Sequence, residues 1–572
     1  MVWKVSHATV DPMTRESREE AEAVVARASA PALVNGSPEG DGRSVEEAVA
    51  KEQPLLDPPV GEGGPGVAVK GPAGDNFRSR EMGVALRNGL KMGGSLVITW
   101  SVAMIVKLHV PAHLGPARQG HFGFAESFAT MFFAMLGLGV DTHIMKEVAV
   151  RPKYASEVVG GVFAVRGALS LVLFVAMAGT LWFTGRSSDI FAAALVFGAS
   201  NVLMAINGTL GAVLQAISRV GPAVVANVVT KVIWGGGLLV ALHFDAPLAM
   251  LALPAFVGEA LRTAILLPAT TRGADLRYRI DMPAVRHALL ESVPYFVNSL
   301  ALGVLGSLGM SVLEFIRVDE REVGWFAAVQ NLGYLCMLLS PLLFWVVMPL
   351  LSRAQARSKE EGLAVFRRCL EGIVVAIIPI TVLISAGSDV LVRIAFGAKY
   401  EPAHTGLSIL SLVFIMTYMN MMLAMNLIVM RRGWSVTIIS VSSVFITASL
   451  MFMLVPLGRR LIGEGGECAG AAASVITSEA CVLVAMLTRF DTFPLDARNL
   501  AAFGKSIGIG AFVLLGDHYL RFLGALRLPL EGIVYVVLAF GVGVVRVSEL
   551  GQVIRLLRHR GELVEPVVVP QS

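Results

Sequence analysis

Charge is scarce in this sequence of 572 residues: Asp, Glu, Lys and Arg make up 16% of it, against 55% of hydrophobic residues. A soluble chain of this length carries far more charge, because charged side chains cover much of a soluble surface. The scarcity excludes an ordinary soluble protein. The formal net charge of +4 does not indicate a nucleic-acid partner, because the basic residues fall in short segments between apolar runs.

Cysteine is also rare, and enzyme signatures are lacking. The four cysteines are scattered, with no CxxC pair and no cluster of histidines, so their spacing predicts neither a metal site nor a redox motif. There is no HExxH and no Asp-x-Asp, and NLAAFGKS is an imperfect phosphate-binding loop with Asn499 in place of its first glycine. We therefore expect a protein that is not an enzyme and holds no cofactor.

What the sequence does have is a series of apolar runs of about 20 residues, the length with which a helix crosses ~30 Å of hydrocarbon. They predict an all-α polytopic membrane protein with about fourteen transmembrane helices. The predicted spans are 88–109, 121–140, 157–184, 190–215, 223–243, 247–270, 289–313, 323–351, 369–387, 404–430, 434–457, 467–488, 503–520 and 530–547.

The loops between these spans set the predicted orientation. An even number of spans puts both termini on one side, and about 25 basic residues fall on that side against about 10 on the other. The positive-inside rule then predicts that both termini are cytoplasmic. The loops are short, which disfavours a membrane glycosyltransferase or polymerase, since such enzymes usually work in a sizeable outer loop.

The two ends of the chain differ from the rest. Residues 1–83 are rich in Glu, Pro, Gly and Ser and predict a disordered cytoplasmic tail, because such a composition buries too little apolar area to offset the entropy of ordering. They contain no apolar signal segment, so the first span is expected to direct insertion. Residues 549–572 are predicted to form a cytoplasmic C-terminal tail.

A short internal repeat suggests a duplication. GHFGFAESF (120–128) aligns with GWFAAVQNL (324–332), each following a charged turn and starting the second span of a six-span block. The aligned pairs are Gly120 with Gly324, Phe122 with Phe326, Glu126 with Gln330, and Ser127 with Asn331. The repeat predicts two pseudo-symmetric six-helix lobes, 84–270 and 271–488, followed by two additional helices in 489–548. Two such bundles in one chain are typical of transporters.

Several segments in order resemble the polysaccharide (Wzx-type) flippases of the multidrug/oligosaccharidyl-lipid/polysaccharide exporter superfamily. They are LGPARQGHFGFAESFATMFFAMLGLGVDTHIMKEVA, VGWFAAVQNL, MPLLSRAQARSKEE, IAFGAKYEPA and LVPLGRRLIGEGGECAGAAAS, within about residues 85–490. The resemblance implies two bundles around a central cavity in the bacterial inner membrane. It also implies translocation of undecaprenyl-diphosphate-linked oligosaccharides for capsule, O-antigen or exopolysaccharide assembly, alongside polymerase or ligase machinery.

The resemblance leaves alternatives open. An ion-coupled exporter of small drugs or metabolites, driven by a proton or sodium gradient, is the second interpretation, and a lipid II flippase is a third. Many relatives carry an Asp in span seven, where this sequence offers Ser311. If that Asp takes part in ion coupling, coupling here must use another group.

A diphosphate crossing a membrane needs cations, and Arg suits phosphate oxygens because its fork binds them bidentately. A charge within a span is costly, so it should face a water-filled cavity. Snorkelling to the headgroups is the alternative for the lysines and for Arg166. The predicted substrate-binding residues are Lys107, Arg166, Asn227, Lys231 and Arg262.

Four acidic residues are candidates for ion coupling, because burial raises the pKa of a carboxyl group towards neutrality. Glu259 lies three residues before Arg262, so a structural ion pair on one helix face is its alternative role. For Glu291 the alternative is a solvated carboxylate at the membrane interface. For Asp141 it is capping of a helix end or loop. The four are Glu126, Glu259, Glu291 and Asp141.

Overall fold

The computed structural model describes residues 73–544, apart from 317 and 337–339. The predicted tails therefore lie outside the described residues, except for 73–83. Contacts divide the chain after Gly74, and the second unit, from Asp75, holds the helices that follow.

Within this described part, the regular structure is helical, with seventeen α-helices and three short 3-10 helices. The α-helices are α1 Ala73–Phe133, α2 Val140–Val150, α3 Tyr154–Phe183, α4 Ser188–Ala216, α5 Gly221–His243, α6 Leu248–Gly273, α7 Met282–Phe315, α8 Glu320–Cys336, α9 Ser340–Arg357, α10 Lys359–Ala386, α11 Ser388–Phe396, α12 His404–Ser411, α13 Val413–Val429, α14 Gly433–Ile462, α15 Gly466–Leu487, α16 Ala497–Leu520 and α17 Arg527–Gly541. The 3-10 helices are Ala134–Gly137, Ala398–Ala403 and Arg521–Leu526.

Eleven helical segments of the described chain are long and apolar enough to cross a membrane. Two of them, Gly93–Val150 and Ala497–Gly541, each contain two of the predicted spans. The predicted span 323–351 falls on α8 and α9, on either side of residues 337–339. The polytopic all-α architecture predicted from hydropathy is thus confirmed.

The first two spans form one long helix with a break. Gly115 interrupts α1 with φ 72° and ψ 167°, a conformation that glycine adopts without strain, and Pro116 follows it. The break turns the chain between spans one and two at the end of the bundle that the predicted orientation places outside. We call this end the predicted outer face and the opposite end the predicted inner face.

The helices form two lobes with separate hydrophobic cores. The first core joins α1, α3, α4, α5 and α6, and the second lobe has clusters from α7 to α15 that extend to α16 and α17. Helix α7 contacts both lobes: the backbone around Ser292 lies against Gly139, while Gly309 lies against Phe326 of α8. The N-terminal part of α7 therefore packs on the first lobe.

The two additional helices are fastened to the second lobe at the predicted outer face. Arg527, at the start of α17, donates to the carbonyl of Ala386 at 3.0 Å and pairs with Asp389. Its Nε also lies 2.9 Å from a carboxylate oxygen of Asp517 on α16. Because Arg527 is buried, this network ties α16 and α17 to the end of α10.

Helices α4 and α13 show the same ending in the two lobes. In each helix the residue after the C-cap is not glycine but has a left-handed backbone conformation. These residues are Ser218, with φ 59°, and Arg431, with φ 60°. An arginine follows in each, Arg219 and Arg432. The backbone thus places α4 and α13 in equivalent registers, 213 residues apart.

The second of these arginines binds the loop after α15. Arg432 Nη2 donates to both carboxylate oxygens of Asp491, at 2.7 and 2.8 Å. These bonds favour the ionised carboxylate and hold the pKa of Asp491 below its ordinary value.

Candidate transport site

Five of the predicted site residues come together in the first lobe. Lys231 on α5 is exposed, and its Nζ lies 4.8 Å from the centre of the Trp234 ring. Two carboxylates and two cations lie close enough to act electrostatically on this ammonium group: Glu259, Glu126, Lys107 and Arg262. Helices α1, α5 and α6 supply this group, which we call the first-lobe charge cluster.

The cluster reaches the second lobe through Lys107. Its Nζ donates to Oδ1 of Asn331 on α8 at 3.1 Å. Asn331 is the residue that the internal repeat aligns with Ser127. Asn227 is half-buried on α5, one turn before Lys231, and so lies next to the cluster.

Glu259 is held by a buried asparagine. Nδ2 of Asn207 on α4 donates both to the main-chain oxygen of Glu259 at 3.0 Å and to its carboxylate oxygen at 2.8 Å. The other carboxylate oxygen lies 3.5 Å from Nη1 of Arg262. Glu259 therefore has an amide on one side and a cation on the other.

Arg166 lies deep in the first lobe, with 1% of its surface exposed. All five of its N–H groups have acceptors, and one of these, Asp141, also accepts from Thr209 at 2.6 Å. The acceptors are the carbonyls of Leu136, Gly137 and Ala205, the Thr209 hydroxyl and the Asp141 carboxylate. An arginine has five donors in all, so this geometry leaves none for a phosphate. Arg166 and Asp141 instead join the end of span two to α3 and α4.

Glu291 lies near the start of α7 at the predicted inner face. Its carboxylate oxygens are 3.8 Å from Nδ1 of His143 and 3.5 Å from Nε2 of His287, and about half of the side chain is exposed. Ser311, further along α7, is buried and donates to the carbonyl of Ser307 at 3.1 Å. Neither residue lies in the first-lobe charge cluster as the structure shows it.

The second lobe contains a copy of the Asn–Glu arrangement that the sequence did not reveal. Nδ2 of Asn420 on α13 donates to the main-chain oxygen of Glu479 on α15 at 3.0 Å and to its carboxylate oxygen at 2.6 Å. The same two atoms accept from the same donor as in the first lobe. Asn420 follows Asn207 by 213 residues, the spacing that also relates the endings of α4 and α13. We call the two pairs the first-lobe clamp and the second-lobe clamp.

A third helix completes each clamp. In the first lobe, Thr230 on α5 donates to the carbonyl of Gly258 at 3.2 Å. In the second lobe, Thr447 on α14 donates to the hydroxyl of Ser478 at 2.6 Å. Gly258 and Ser478 each precede the clamp glutamate, so the equivalence extends to α5 with α14 and α6 with α15.

The second-lobe clamp borders a cavity of about 270 Å³. Its walls are mostly apolar, with Phe326 and Phe414 among them. Polar side chains come from four helices: Gln330, Thr417, Thr447, Ser478 and Glu479. Gln330 is the repeat partner of Glu126, so each lobe has a polar residue of the second span near its clamp.

At the predicted outer face the two lobes meet through the repeated glycines. A methyl group added to Gly120 would stand 2.5 Å from the carbonyl oxygen of Glu320, and one added to Gly324 would overlap the backbone of Pro116. His121 lies 3.0 Å from Glu320, and Arg186 pairs with Glu314. The lobes are therefore in backbone contact at this face.

Another carboxylate fixes α8 to α15 at the same face. Glu322 accepts from the main-chain N–H groups of Gly465 at 2.6 Å and Cys468 at 2.9 Å. These groups lie at the N-terminus of α15, where a helix leaves N–H donors unpaired and attracts negative charge.

Comparisons with known proteins agree with this geometry. Residues 85–355 match the model of a family described as polysaccharide biosynthesis protein. No curated protein sequence matches the chain.

Solved structures share the fold at low sequence identity. A lipid II flippase MurJ in an inward closed conformation is 13% identical with a TM-score of 0.59, and the match covers 78% of this chain and 97% of that one. An inward-facing multidrug resistance MATE transporter of the MOP superfamily is 14% identical, with a TM-score of 0.55 and coverages of 69% and 98%. The D35N mutant of the Vibrio cholerae MATE transporter VcmN is 15% identical, with a TM-score of 0.51 and coverages of 71% and 97%.

The three solved structures are of a flippase and of two transporters. The resemblance read from the sequence motifs is thereby confirmed. The chain is a multi-pass membrane protein whose fold is similar to that of these solved structures, and its residues 85–355 match the polysaccharide biosynthesis family.

Proposed function

We propose that the protein is a flippase that moves undecaprenyl-diphosphate-linked oligosaccharides across the bacterial inner membrane by alternating access, with both termini in the cytoplasm. The product would feed capsule, O-antigen or exopolysaccharide assembly. The observation that carries the proposal is the first-lobe charge cluster, which places three cations on α1, α5 and α6.

The chemistry of the cluster suits a diphosphate. The cations Lys107, Lys231 and Arg262 lie in helices that cross the membrane, where a charge needs a polar or aqueous partner. Lys231 is exposed and its ammonium group stands beside the Trp234 ring, so it presents a cation next to an aromatic face. Asn227 extends the polar surface by one turn.

The remaining candidates take supporting roles in this proposal. Arg166 and Asp141 position the end of span two, because their bonds to each other and to the backbone use up the guanidinium. Glu291 is a solvated residue of the predicted inner face. Glu126 and Glu259 balance the cations of the cluster and so prevent a permanent excess of positive charge.

Closure of the predicted outer face fits a state in which substrate enters from the cytoplasmic side. The contacts Gly120–Gly324 and His121–Glu320 join the lobes there. In alternating access these contacts break when the substrate is released to the outer leaflet.

The test is to delete the gene and analyse lipid extracts. We expect an undecaprenyl-linked oligosaccharide to accumulate on the cytoplasmic leaflet and to disappear when the wild-type gene is restored. A gene carrying Lys231→Gln and Arg262→Gln should not restore the wild-type pattern. Unchanged lipid intermediates together with altered drug tolerance would contradict the flippase proposal.

The second candidate is an ion-coupled exporter of small drugs or metabolites. The apolar cavity beside Glu479 favours it, because an apolar pocket with one carboxylate suits an organic cation. Accumulation of lipid II instead of an oligosaccharide intermediate would indicate the third candidate, a lipid II flippase.

A further inference from the structure

The carboxylate of the second-lobe clamp, Glu479, lies at a mostly apolar cavity. Among the described residues that line its cavity, Glu479 is the one acidic side chain, and none is lysine, arginine or histidine. The partner that the structure gives its carboxylate is the amide of Asn420. This amide is 5% exposed, and its own Oδ1 has no hydrogen-bond partner.

The first lobe surrounds the equivalent carboxylate differently. Glu259 has Arg262 three residues later, at 3.5 Å. The residue three after Glu479 is Val482. Position 231 on α5, one residue after Thr230, carries a lysine, and the residue after Thr447 on α14 is Ala448. Both first-lobe cations are thus replaced by apolar residues.

An ionised carboxylate in such a setting is costly. A charge moved from water to an apolar interior loses its hydration, and a protein group usually avoids that cost by changing its protonation state. One amide hydrogen bond recovers only part of the cost. Glu479 therefore needs either a proton or a metal cation.

The surroundings favour a proton. Within the described residues there is no group of three His, Cys, Asp or Glu side chains that could hold a metal ion. Two of the hydroxyls of the cavity lining are already engaged, since Thr447 donates to Ser478 and Ser478 donates to the carbonyl of Ser443 at 3.4 Å. A single carboxylate can take up a proton, whereas a metal ion would need several further oxygen ligands from the cavity wall.

We propose that Glu479 carries an exchangeable proton in the second-lobe cavity, and that its binding and release accompany the movement of the two lobes. A carboxylate oxygen accepts the proton from a hydronium ion, so that one hydronium O–H bond breaks, the carboxyl O–H bond forms and a water molecule is left. The reverse transfer to water releases the proton when the surroundings change. The coupling of this proton to transport rests on the proposed function, whereas the protonation of Glu479 does not.

Other titratable groups on the packed helices lie near helix ends or outside the cavity lining. On α7, α8, α12, α13, α14 and α15 they include Arg286, His287, Glu291, Tyr295, Glu314, Glu320, Arg321, Glu322, His404, Tyr418, Arg459, Arg460, Glu467, Cys468 and Cys481. Glu322 and Glu467 belong to the predicted outer face, where one accepts from main-chain N–H groups and the other pairs with Arg459. Proton uptake in the middle of these helices is therefore expected to occur at Glu479 and to depend mainly on its hydrogen bond from Asn420.

Infrared difference spectroscopy of the full chain in lipid nanodiscs tests the protonation without any substrate. Spectra of the wild type at acidic and alkaline pH should differ by a protonated-carboxyl band that Glu479→Gln removes. The matched control is Glu464→Gln, which changes an exposed glutamate of the predicted outer face and should keep the band. A band that survives Glu479→Gln would overturn the proposal.

A second variant covers the case in which Glu479→Gln does not fold. Val482→Arg supplies the cation that the first lobe has, so Glu479 should stay ionised and the band should again be lost. If sodium chloride but not pH changes the carboxylate signal, the site binds sodium and the proton assignment is wrong. In a transport assay, Glu479→Gln should abolish stimulation by an imposed pH gradient. Loss of that stimulation without flipping of lipid-linked sugars would contradict the proposed substrate but leave the proton site intact.

Discussion

The two clamps have the same hydrogen bonds in opposite electrostatic surroundings. In each lobe an asparagine, on α4 or α13, donates to the main-chain and side-chain oxygens of a glutamate on α6 or α15. The first-lobe glutamate stands beside Arg262 and close to Lys231, whereas the second-lobe glutamate faces an apolar cavity. The comparison suggests that duplication supplied a common framework of helices, and that divergence gave one lobe the anion chemistry and the other a neutral pocket.

Removing the cations from the first lobe should have the largest effect on transport. Each hydrogen bond to a charged group is worth about 1.5–3 kcal/mol, so Lys231→Gln or Arg262→Gln should weaken binding of a lipid-linked diphosphate by about 10- to 100-fold. Binding to the purified protein in nanodiscs measures this. Arg357→Gln, which removes an exposed cation paired with Glu361 on the predicted inner face, is the control and should leave affinity unchanged.

Adding a methyl group at the repeated glycines tests whether the lobes close symmetrically. Gly120→Ala and Gly324→Ala should each separate the backbones at the predicted outer face, with a cost of about 1–3 kcal/mol for the closed state. Thiol labelling of a cysteine introduced at Ser127 should become faster in both variants. Equal rates in the variants and the wild type would show that the glycine contact does not control access.

Replacing a clamp asparagine by alanine should lower the thermal stability by different amounts in the two lobes. Asn207→Ala leaves Glu259 with Arg262, whereas Asn420→Ala takes away the partner that the structure gives to Glu479. Leaving a buried polar group without a partner costs about 1–3 kcal/mol, so Asn420→Ala should lower the thermal midpoint more than Asn207→Ala. If the order is reversed, Arg262 does not compensate Glu259 as its position suggests.

Exchanging the second-span residues should have the smallest effect. Glu126→Gln copies the side chain of Gln330, and Gln330→Glu makes the reverse change. We expect Glu126→Gln to reduce transport only modestly, because Glu259 still balances the cations of the cluster. If the rate of transport is unchanged, the Glu126 carboxylate is structural.

Hydropathy was sufficient to predict most of the fold. A membrane span needs about 20 apolar residues, and that requirement shows directly in the sequence, so the predicted spans coincide with the long helices. The GHFGFAESF repeat was also recognisable, because Gly120 and Gly324 are in backbone contact and only glycine fits there. Both signals are visible in the sequence because each depends on the residue types of one short segment.

The clamps could not be predicted in the same way. Asn420 and Glu479 lie 59 residues apart in different helices, and the local likeness is limited to Gly-Glu-Ala at 258–260 and Ser-Glu-Ala at 478–480. Arg166 was a reasonable candidate for phosphate by residue type. Two of its donors are used by carbonyls of the 3-10 segment Ala134–Gly137, and the other three by α2 and α4, an arrangement that depends on tertiary structure.

The left-handed residues that follow α4 and α13 belong to a type of helix ending that recurs in the described chain. Ser218 and Arg431 share a conformation that is unfavourable for an L-residue by about 1–2 kcal/mol, although neither is the glycine or asparagine that would relieve it. The same ending closes α5 at Asp245, with φ 48°, and α6 at Asp275, with φ 47°. At least four described helices thus end on a strained residue, so this backbone angle marks where the chain leaves a helix and does not by itself show which positions of the two lobes correspond.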